Sequence, residues 1–84
     1  MNDIIITLKL YSGLEKESGI LNYNPDTGII INVRKGTRLK KILSDAGMEK
    51  FFPFAFFSGG ERITLRRKFN ESSEVSCLKI SGGG

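Results

Sequence analysis

Residues 29–47 read IIINVRKGTRLKKILSDAG and predict a strand, a turn and a helix in direct succession. The first part repeats apolar residues at every second position, as a strand with one buried face does, and the second part repeats them at helical spacing. The strand positions are Ile29, Ile31 and Val33, and the helix positions are Leu39, Ile42, Leu43 and Ala46. Gly36 breaks the strand, Thr37 is the expected N-cap, and Gly47 is expected to end the helix.

Upstream of this stretch, the chain opens with a second alternating segment. Ile4, Ile6, Leu8 and Leu10 share one parity, so they predict a first strand with one face in the core. Residues 12–28 contain several turn-forming residues and are expected to form a connection with at most a short irregular turn. A hairpin with a wide loop would make the first two strands antiparallel.

Downstream, three further strands are expected after Pro53, which forbids regular helix. Residues 54–57 form the first, residues 58–60 turn, and residues 62–66 form a half-exposed strand. Residues 75–80 form the last, central strand. The one helix is the only element able to cover this sheet. We therefore predict an α+β fold of the β-grasp (ubiquitin-like) type, a mixed sheet of about five strands with one main helix.

Composition bounds the class of protein. With 84 residues, the chain has room for one small domain and no second active-site domain. It has no transmembrane or signal-like segment, and its single cysteine, Cys77, fits a reducing compartment, so we expect a cytoplasmic protein without membrane association. As an alternating residue of the last strand, Cys77 is interpreted as a small core residue rather than a thiol relay.

The net charge of +4 comes from two basic clusters, in residues 34–41 and 62–68. Nucleic acid is one conceivable partner, since five phenylalanines could stack on bases: Phe51, Phe52, Phe54, Phe56 and Phe57. These phenylalanines form a nearly continuous apolar run, which is more typical of a buried strand. We therefore expect a solvated basic face or a docking face for an acidic protein, and no nucleic acid.

Residues able to form an active site are scarce. The chain has no histidine, no Cys-x-x-Cys motif and no phosphate-binding glycine loop, so metal, redox and hydrolase sites lack candidates. Glu15 and Glu17 are explained by a solvated loop better than by an acid–base pair. We predict no catalytic residue and no metal site in this chain.

The C-terminal residues Ser81-Gly82-Gly83-Gly84 follow the last strand directly. The three glycines, which have no side chains, can lie extended in a narrow tunnel of a partner and present a terminal carboxylate there. The alternative is a frayed or linker-like terminus. We expect residues 1–80 to form the domain and residues 81–84 to form a flexible tail.

Three motifs resemble the ubiquitin-like sulfur carriers, which include the small subunit of molybdopterin synthase and the sulfur carrier of thiazole synthesis. They are Leu10-Tyr11-Ser12-Gly13-Leu14, Lys35-Gly36-Thr37, and Ser73-Glu74-Val75 followed by Ser81-Gly82-Gly83. The chain length is closer to the molybdopterin-synthase type. Two features depart from the family pattern, namely a third glycine at the end and Ser72-Ser73-Glu74 where a Gly-Asp-Glu type of turn is common.

This resemblance implies a cosubstrate rather than an enzyme. An E1-like activating enzyme would use ATP and magnesium to adenylate the terminal carboxylate at Gly84, or at Gly83 in the two-glycine register. Conversion to a thiocarboxylate would follow, with a large subunit or acceptor synthase receiving the sulfur. The chain itself would bind no cofactor.

The expected docking surface lies beside the root of the tail and comprises Leu78, Ile80, Arg62, Thr64 and Arg66. Apolar side chains there would supply affinity and the arginines would steer association. Two other functions stay open at this point, namely a protein modifier that forms isopeptide conjugates and a β-grasp module that binds without covalent chemistry.

Overall fold

The alternating segments at 4–10 and 29–33 form a pair of antiparallel strands, as predicted. A computed structural model of the chain describes residues 2–11, 13–17 and 23–79. The strands are β1 (Asp3–Leu10), β2 (Ile29–Arg34), β3 (Thr37–Arg38), β4 (Ala55–Ser58), β5 (Glu61–Ile63), β6 (Lys68–Phe69) and β7 (Ser73–Leu78). The helices are α1 (Leu14–Glu17) and α2 (Leu39–Asp45), and Glu49–Phe51 forms a 3₁₀ turn.

Five strands form one mixed sheet in the order β2-β1-β7-β4-β5. The central pair, β1 and β7, is parallel, while β1–β2, β4–β7 and β4–β5 are antiparallel. β3 and β6 pair separately as a short two-stranded ribbon. The predicted α+β class and the β-grasp arrangement, with a mixed five-stranded sheet and one main helix, are confirmed.

The core lies between α2 and one face of the sheet. Leu39, Ile42 and Leu43 are fully buried on the inner face of α2. They belong to one cluster with the inward residues of the strands, which are Ile4, Ile6, Leu8, Leu10, Phe56, Ile63, Val75 and Cys77. The predicted packing of the helix on the sheet is therefore confirmed. Ala46 departs from the prediction, since it is exposed at the C-terminal end of the helix.

The beginning of α2 differs from the expectation. Arg38, not Thr37, is the N-cap residue, and it makes no side-chain capping bond. The hydroxyl of Thr37 donates instead to the carbonyl of Arg34 at 2.6 Å. The first helical N–H groups, which lack partners within a helix, donate to backbone carbonyls of residues 65 and 67. A distant turn therefore replaces the side-chain cap.

The predicted strand 62–66 is wrong beyond Ile63, where β5 ends. The N–H of Arg66 donates to the Thr64 hydroxyl at 3.3 Å, and the N–H of Arg67 donates to the Thr64 carbonyl at 3.1 Å. These bonds close a turn that brings the chain to the start of α2. Thr64 and Arg66 therefore belong to this turn and not to the edge of the sheet.

The phenylalanine-rich segment also divides differently. Phe51 lies in the 3₁₀ turn and Phe56 in β4, and both are buried. The ring of Phe54 lies 6.1 Å from that of Phe51, centroid to centroid. Phe52, Phe54 and Phe57 are only half-buried, and the strand begins at Ala55, so the interpretation as a buried strand is correct for Phe56 and wrong for the start of the run.

The predicted turn at residues 58–60 is confirmed at Gly59 and Gly60, while Ser58 is the last residue of β4. Gly59 and Gly60 both have positive φ, at 60° and 81°, and connect Ser58 to Glu61, which lie opposite each other in the register. Two consecutive left-handed residues form the tight turn that suits a twisted hairpin, and glycine adopts it without steric cost.

Candidate functional site at the end of the central strand

β7 is held by neighbouring strands on both sides. Val75 and Cys77 lie opposite Leu8 and Leu10 of β1, and Cys77 also lies opposite Phe56 of β4. The pairing with β1 extends one step further, because the N–H of Tyr11 donates to the carbonyl of Cys77 at 3.0 Å. The root of the predicted tail is thus fixed as far as Leu78. Ile80 and the tail residues Ser81, Gly82, Gly83 and Gly84 lie outside the described residues.

The side chains of β7 alternate between two surfaces. Val75 and Cys77 point into the core, so Ser76 and Leu78 lie on the opposite side of the sheet. We call this surface, on the side away from α2, the open face; it carries Ile5, Thr7, Lys9, Ile30, Phe57, Arg62, Glu74, Ser76 and Leu78. The predicted outward orientation of Leu78 agrees with this alternation, and the residue is half-buried.

Charges on the open face are partly paired. Lys9 Nζ lies 3.7 Å from Glu74 Oε1, and the Lys9 side chain is the more buried of the two. The hydroxyl of Ser58 donates to the backbone carbonyl of Glu74 at 2.9 Å, which ties β4 to β7. Arg62 is exposed and lies in register with Phe57, which in turn lies opposite Ser76. The cationic side chain of Arg62 is therefore two strands, or about 10 Å, away from β7.

Of the five predicted docking residues, the structure brings two to the open face. Leu78 and Arg62 lie on strands on either side of β4. Thr64 and Arg66 are exposed in the turn that follows β5, so they extend beyond the sheet edge rather than along it. Whether these residues bind a partner stays a prediction.

Sequence reasoning missed an apolar patch on the open face. Ile5 is 44% exposed and Ile30 is 54% exposed, and they are diagonal neighbours, because Ile30 lies opposite Thr7 and Ile5 opposite Asn32. Tyr11, at the end of β1, is 43% exposed. The sequence does contain a sign of this patch. Ile5 and Ile30 are apolar residues at strand positions that alternate with the core positions and therefore face away from the core. Large exposed apolar side chains that lie together are typical of interaction surfaces.

Cys77 is a core residue, as predicted. It is fully buried beside Phe56 and Leu10, and burial raises its pKa to about 12. A thiol with such a pKa is protonated at neutral pH, and the thiolate is the nucleophilic form. Burial and the raised pKa both agree with the interpretation of Cys77 as a core residue.

Within residues 2–11, 13–17 and 23–79, no group of three or more histidine, cysteine, aspartate or glutamate residues could hold a metal ion.

Glu15 and Glu17 lie in α1, a one-turn helix, and not in a loop as expected. Among the residues that the structure describes, no helix is long and apolar enough to cross a bilayer.

Comparison of the sequence with protein-family models gives no match, and comparison with curated proteins also gives none.

Proposed function

We propose that this chain is a sulfur carrier of the ubiquitin-like type, with the carboxylate of the glycine tail as its reactive group. The observation that carries the proposal is the position of β7. This strand lies in the middle of a β-grasp sheet, is paired on both sides, and leads within a few residues to Ser81-Gly82-Gly83-Gly84. A fixed root that leads, after Lys79, Ile80 and Ser81, to three glycines suits delivery of a carboxylate into a narrow site of another protein.

The chemistry needs activation, because a carboxylate is a poor electrophile. An activating enzyme transfers AMP from ATP to the carboxylate and releases pyrophosphate, with magnesium neutralising the phosphates. Hydrosulfide, or an equivalent sulfur nucleophile, then attacks the acyl carbon, and AMP leaves with the bonding electrons. The product is a thiocarboxylate that donates sulfur to an acceptor, and the chain length favours a precursor of the molybdopterin type as that acceptor.

The residues of this chain contribute binding and position rather than catalysis. Leu78, which is half-buried, offers an apolar contact at the root of the tail, while Arg62 supplies positive charge on the same face and Arg66 supplies it in the turn beyond β5. Cationic groups at the rim of an interface mainly accelerate encounter, whereas buried apolar contacts slow dissociation. The open face is the surface that the activating enzyme and the acceptor synthase would share.

Intact-mass spectrometry tests the proposal. The chain is incubated with ATP, magnesium, a sulfur source and each activating enzyme encoded beside it, and fragmentation locates the mass change. The expected product has one oxygen replaced by sulfur at the terminal residue. If every such enzyme leaves the chain unmodified, the proposal fails.

The same measurement separates the two other functions. A protein modifier would give higher-mass conjugates joined to lysine side chains, whereas a binding module would give no covalent product with any enzyme. Either result would replace the carrier assignment.

A further inference from the structure

A groove runs between the edge strand β2 and helix α2, on the side of the sheet opposite the open face. Its volume is about 380 Å³, and its apolar wall is formed by Ile31, Val33 and Ile42. Ile31 and Val33 are only half-buried, although they point toward the core side of the sheet. We call this feature the edge groove.

β2 is an outer strand of the sheet, with β1 on one side. One bond shows which residue pairs of the β1–β2 ladder are hydrogen-bonded. The N–H of Lys35 donates to the carbonyl of Asn2 at 2.6 Å, so these two residues form a hydrogen-bonded pair. Because bonded pairs alternate in an antiparallel ladder, Val33 and Ile31 direct their backbone groups to β1, opposite Ile4 and Ile6. The backbone groups of Asn32 and Ile30 are therefore directed to the outer edge.

Arg34 and Lys41 line the groove and belong to a basic rim that continues with Lys35, Arg38 and Lys40. Their side chains are exposed, and all five line an adjoining depression of about 540 Å³. Asp45 is the acidic residue at the groove, and it pairs with Lys41 at 3.3 Å. Asp3 lies opposite Arg34 in the β1–β2 register, so five positive charges of the rim stand against two negative charges.

We propose that β2 and the edge groove bind an extended segment of a partner protein, apolar in its middle and acidic at its flanks. The outward backbone groups of Ile30 and Asn32 would pair with that segment as with a sixth strand. Alternate side chains of the segment would then enter the groove against Ile31, Val33 and Ile42. Its acidic flank would meet the basic rim.

Charge selects this occupant over a second copy of the chain. Pairing β2 with β2 of another copy would bring two basic rims together, and like charges across an interface disfavour association. A nucleic acid would satisfy the charge, but it offers neither alternating backbone donors and acceptors nor apolar side chains for the groove.

The edge groove is independent of the proposed carrier chemistry. It lies on the helix side of β2, whereas the docking residues Leu78 and Arg62 lie on the open face, two and four strands away. Both surfaces can therefore be occupied at the same time, and either assignment can fail alone.

The probe for the test is an end-blocked, fluorescently labelled decapeptide with four central valine and isoleucine residues between aspartates. We expect saturable binding by fluorescence anisotropy and, by hydrogen exchange, slower exchange of the Ile30 and Asn32 amides. The amides of Ile31 and Val33, already bonded to β1, should change little. A decapeptide of the same composition with a central proline should bind at least about fivefold more weakly.

Two variants and one modified peptide locate the contact. Asn32→Pro removes an outward donor without touching the β1–β2 ladder, and it should weaken binding by about fivefold. If this variant does not fold, the test is a probe with N-methyl groups at alternate residues, which should lose binding to the unaltered protein. Lys41→Glu should weaken binding several-fold. The control is Lys16→Glu, the same charge change in α1, which follows the C-terminal end of β1 and is remote from the groove; it should leave binding unchanged.

Four results would overturn the proposal. They are no binding of the probe, equal binding of the proline-containing probe, unchanged exchange at Ile30 and Asn32, or self-association of the chain through β2 that excludes the probe. The second result would identify simple charge attraction, and the last would identify a second copy as the occupant.

Discussion

The backbone N–H of Leu39 donates to the carbonyl of Arg67 at 2.8 Å, which joins the first residue of α2 to a turn 28 positions later in the chain. The next N–H, of Lys40, donates to the carbonyl of Leu65 at 2.9 Å. These two bonds satisfy N–H groups that a helix cannot satisfy within itself. The helix and the turn therefore support each other, and the position of Arg66 depends on both.

The first prediction follows from this contact. Leu65→Ala removes a half-buried side chain that packs on the core and should lower the free energy of unfolding by about 1 to 2 kcal/mol, less than for a fully buried leucine. Because the turn would loosen, the amides of Leu39 and Lys40 should exchange faster. Urea denaturation and native-state hydrogen exchange measure the two effects.

Thr37→Ala is the matched control for the helix cap. It removes the hydroxyl bond to Arg34 and should cost about 1 kcal/mol, but it should leave the amides of Leu39 and Lys40 protected. Faster exchange of these amides in Thr37→Ala than in Leu65→Ala would show that the threonine is the cap after all.

Gly28 provides the second prediction. Its φ is +71°, and a Cβ at this position would lie 2.8 Å from the backbone oxygen of Leu8. Gly36 has a φ of +90° but nothing within 4 Å of its Cβ position. Gly36→Ala should cost about 1 to 2 kcal/mol for the left-handed backbone alone. Gly28→Ala should cost about 1 to 3 kcal/mol more because of overpacking. Equal urea midpoints of the two variants would contradict the close approach of Gly28 to Leu8.

Cys77 provides the third prediction. Burial raises its pKa from 9.0 to about 12, so the folded state retains a proton that the unfolded state releases. The stabilisation is complete below the unfolded-state pKa and declines as the pH rises from about 9 to 12. The stability of the parent chain should therefore fall more steeply over this range than that of Cys77→Ala. Urea denaturation at several pH values measures the difference, since the other titrating groups are common to both chains.

Alkylation gives an independent test of the same thiol. At neutral pH the native chain should resist iodoacetamide, and the chain unfolded in urea should react readily. Rapid alkylation under native conditions, with the fold intact by circular dichroism, would contradict the buried position of Cys77.

The fold was predictable because alternation of apolar residues decides which face of each strand is buried. Ile4, Ile6, Leu8 and Leu10 are all buried as the pattern requires. The helix cap was not predictable, because the partners of Leu39 and Lys40 are backbone carbonyls of a distant turn and leave no local sequence signal. The predicted strand was wrong at Thr64 because its neighbours Ile63 and Leu65 both pack on the core but belong to different elements. Ile63 ends β5 and Leu65 lies in the turn that follows, so their alternation resembles that of one continuous strand.

The candidate site was predictable in part. Alternation in β7 correctly placed Leu78 outside the core, but the edge groove needs the order of the strands and the phase of the β1–β2 ladder. Neither can be obtained from the residues of β2 alone, because an edge strand and an inner strand can show the same period of two.

The fourth prediction concerns docking of an activating enzyme at the open face. Leu78→Asn should speed dissociation, because it replaces an apolar contact beside the tail root, while Arg62→Glu and Arg66→Glu should slow association. Their effect should shrink as salt is raised. Lys41→Glu, an equal charge change at the edge groove, is the control. Stopped-flow association rates that fall equally in all three charge variants would indicate only an effect of net charge.

The last prediction concerns the length of the tail. The carboxylate must reach a fixed point in the partner from a body whose pairing ends at Leu78, and one residue adds at most about 3.6 Å of reach. A flexible glycine can absorb one surplus residue by bending, whereas a tail shortened by two residues cannot be lengthened. Removing Gly84 alone should therefore leave a carrier that is thiocarboxylated at Gly83, and removing Gly83 with Gly84 should abolish adenylation. Single-turnover adenylation of the three chains measures this, with circular dichroism as the folding control. Full activity of the shortest chain would refute the carrier function, and loss of activity without Gly84 alone would show that the third glycine sets the register.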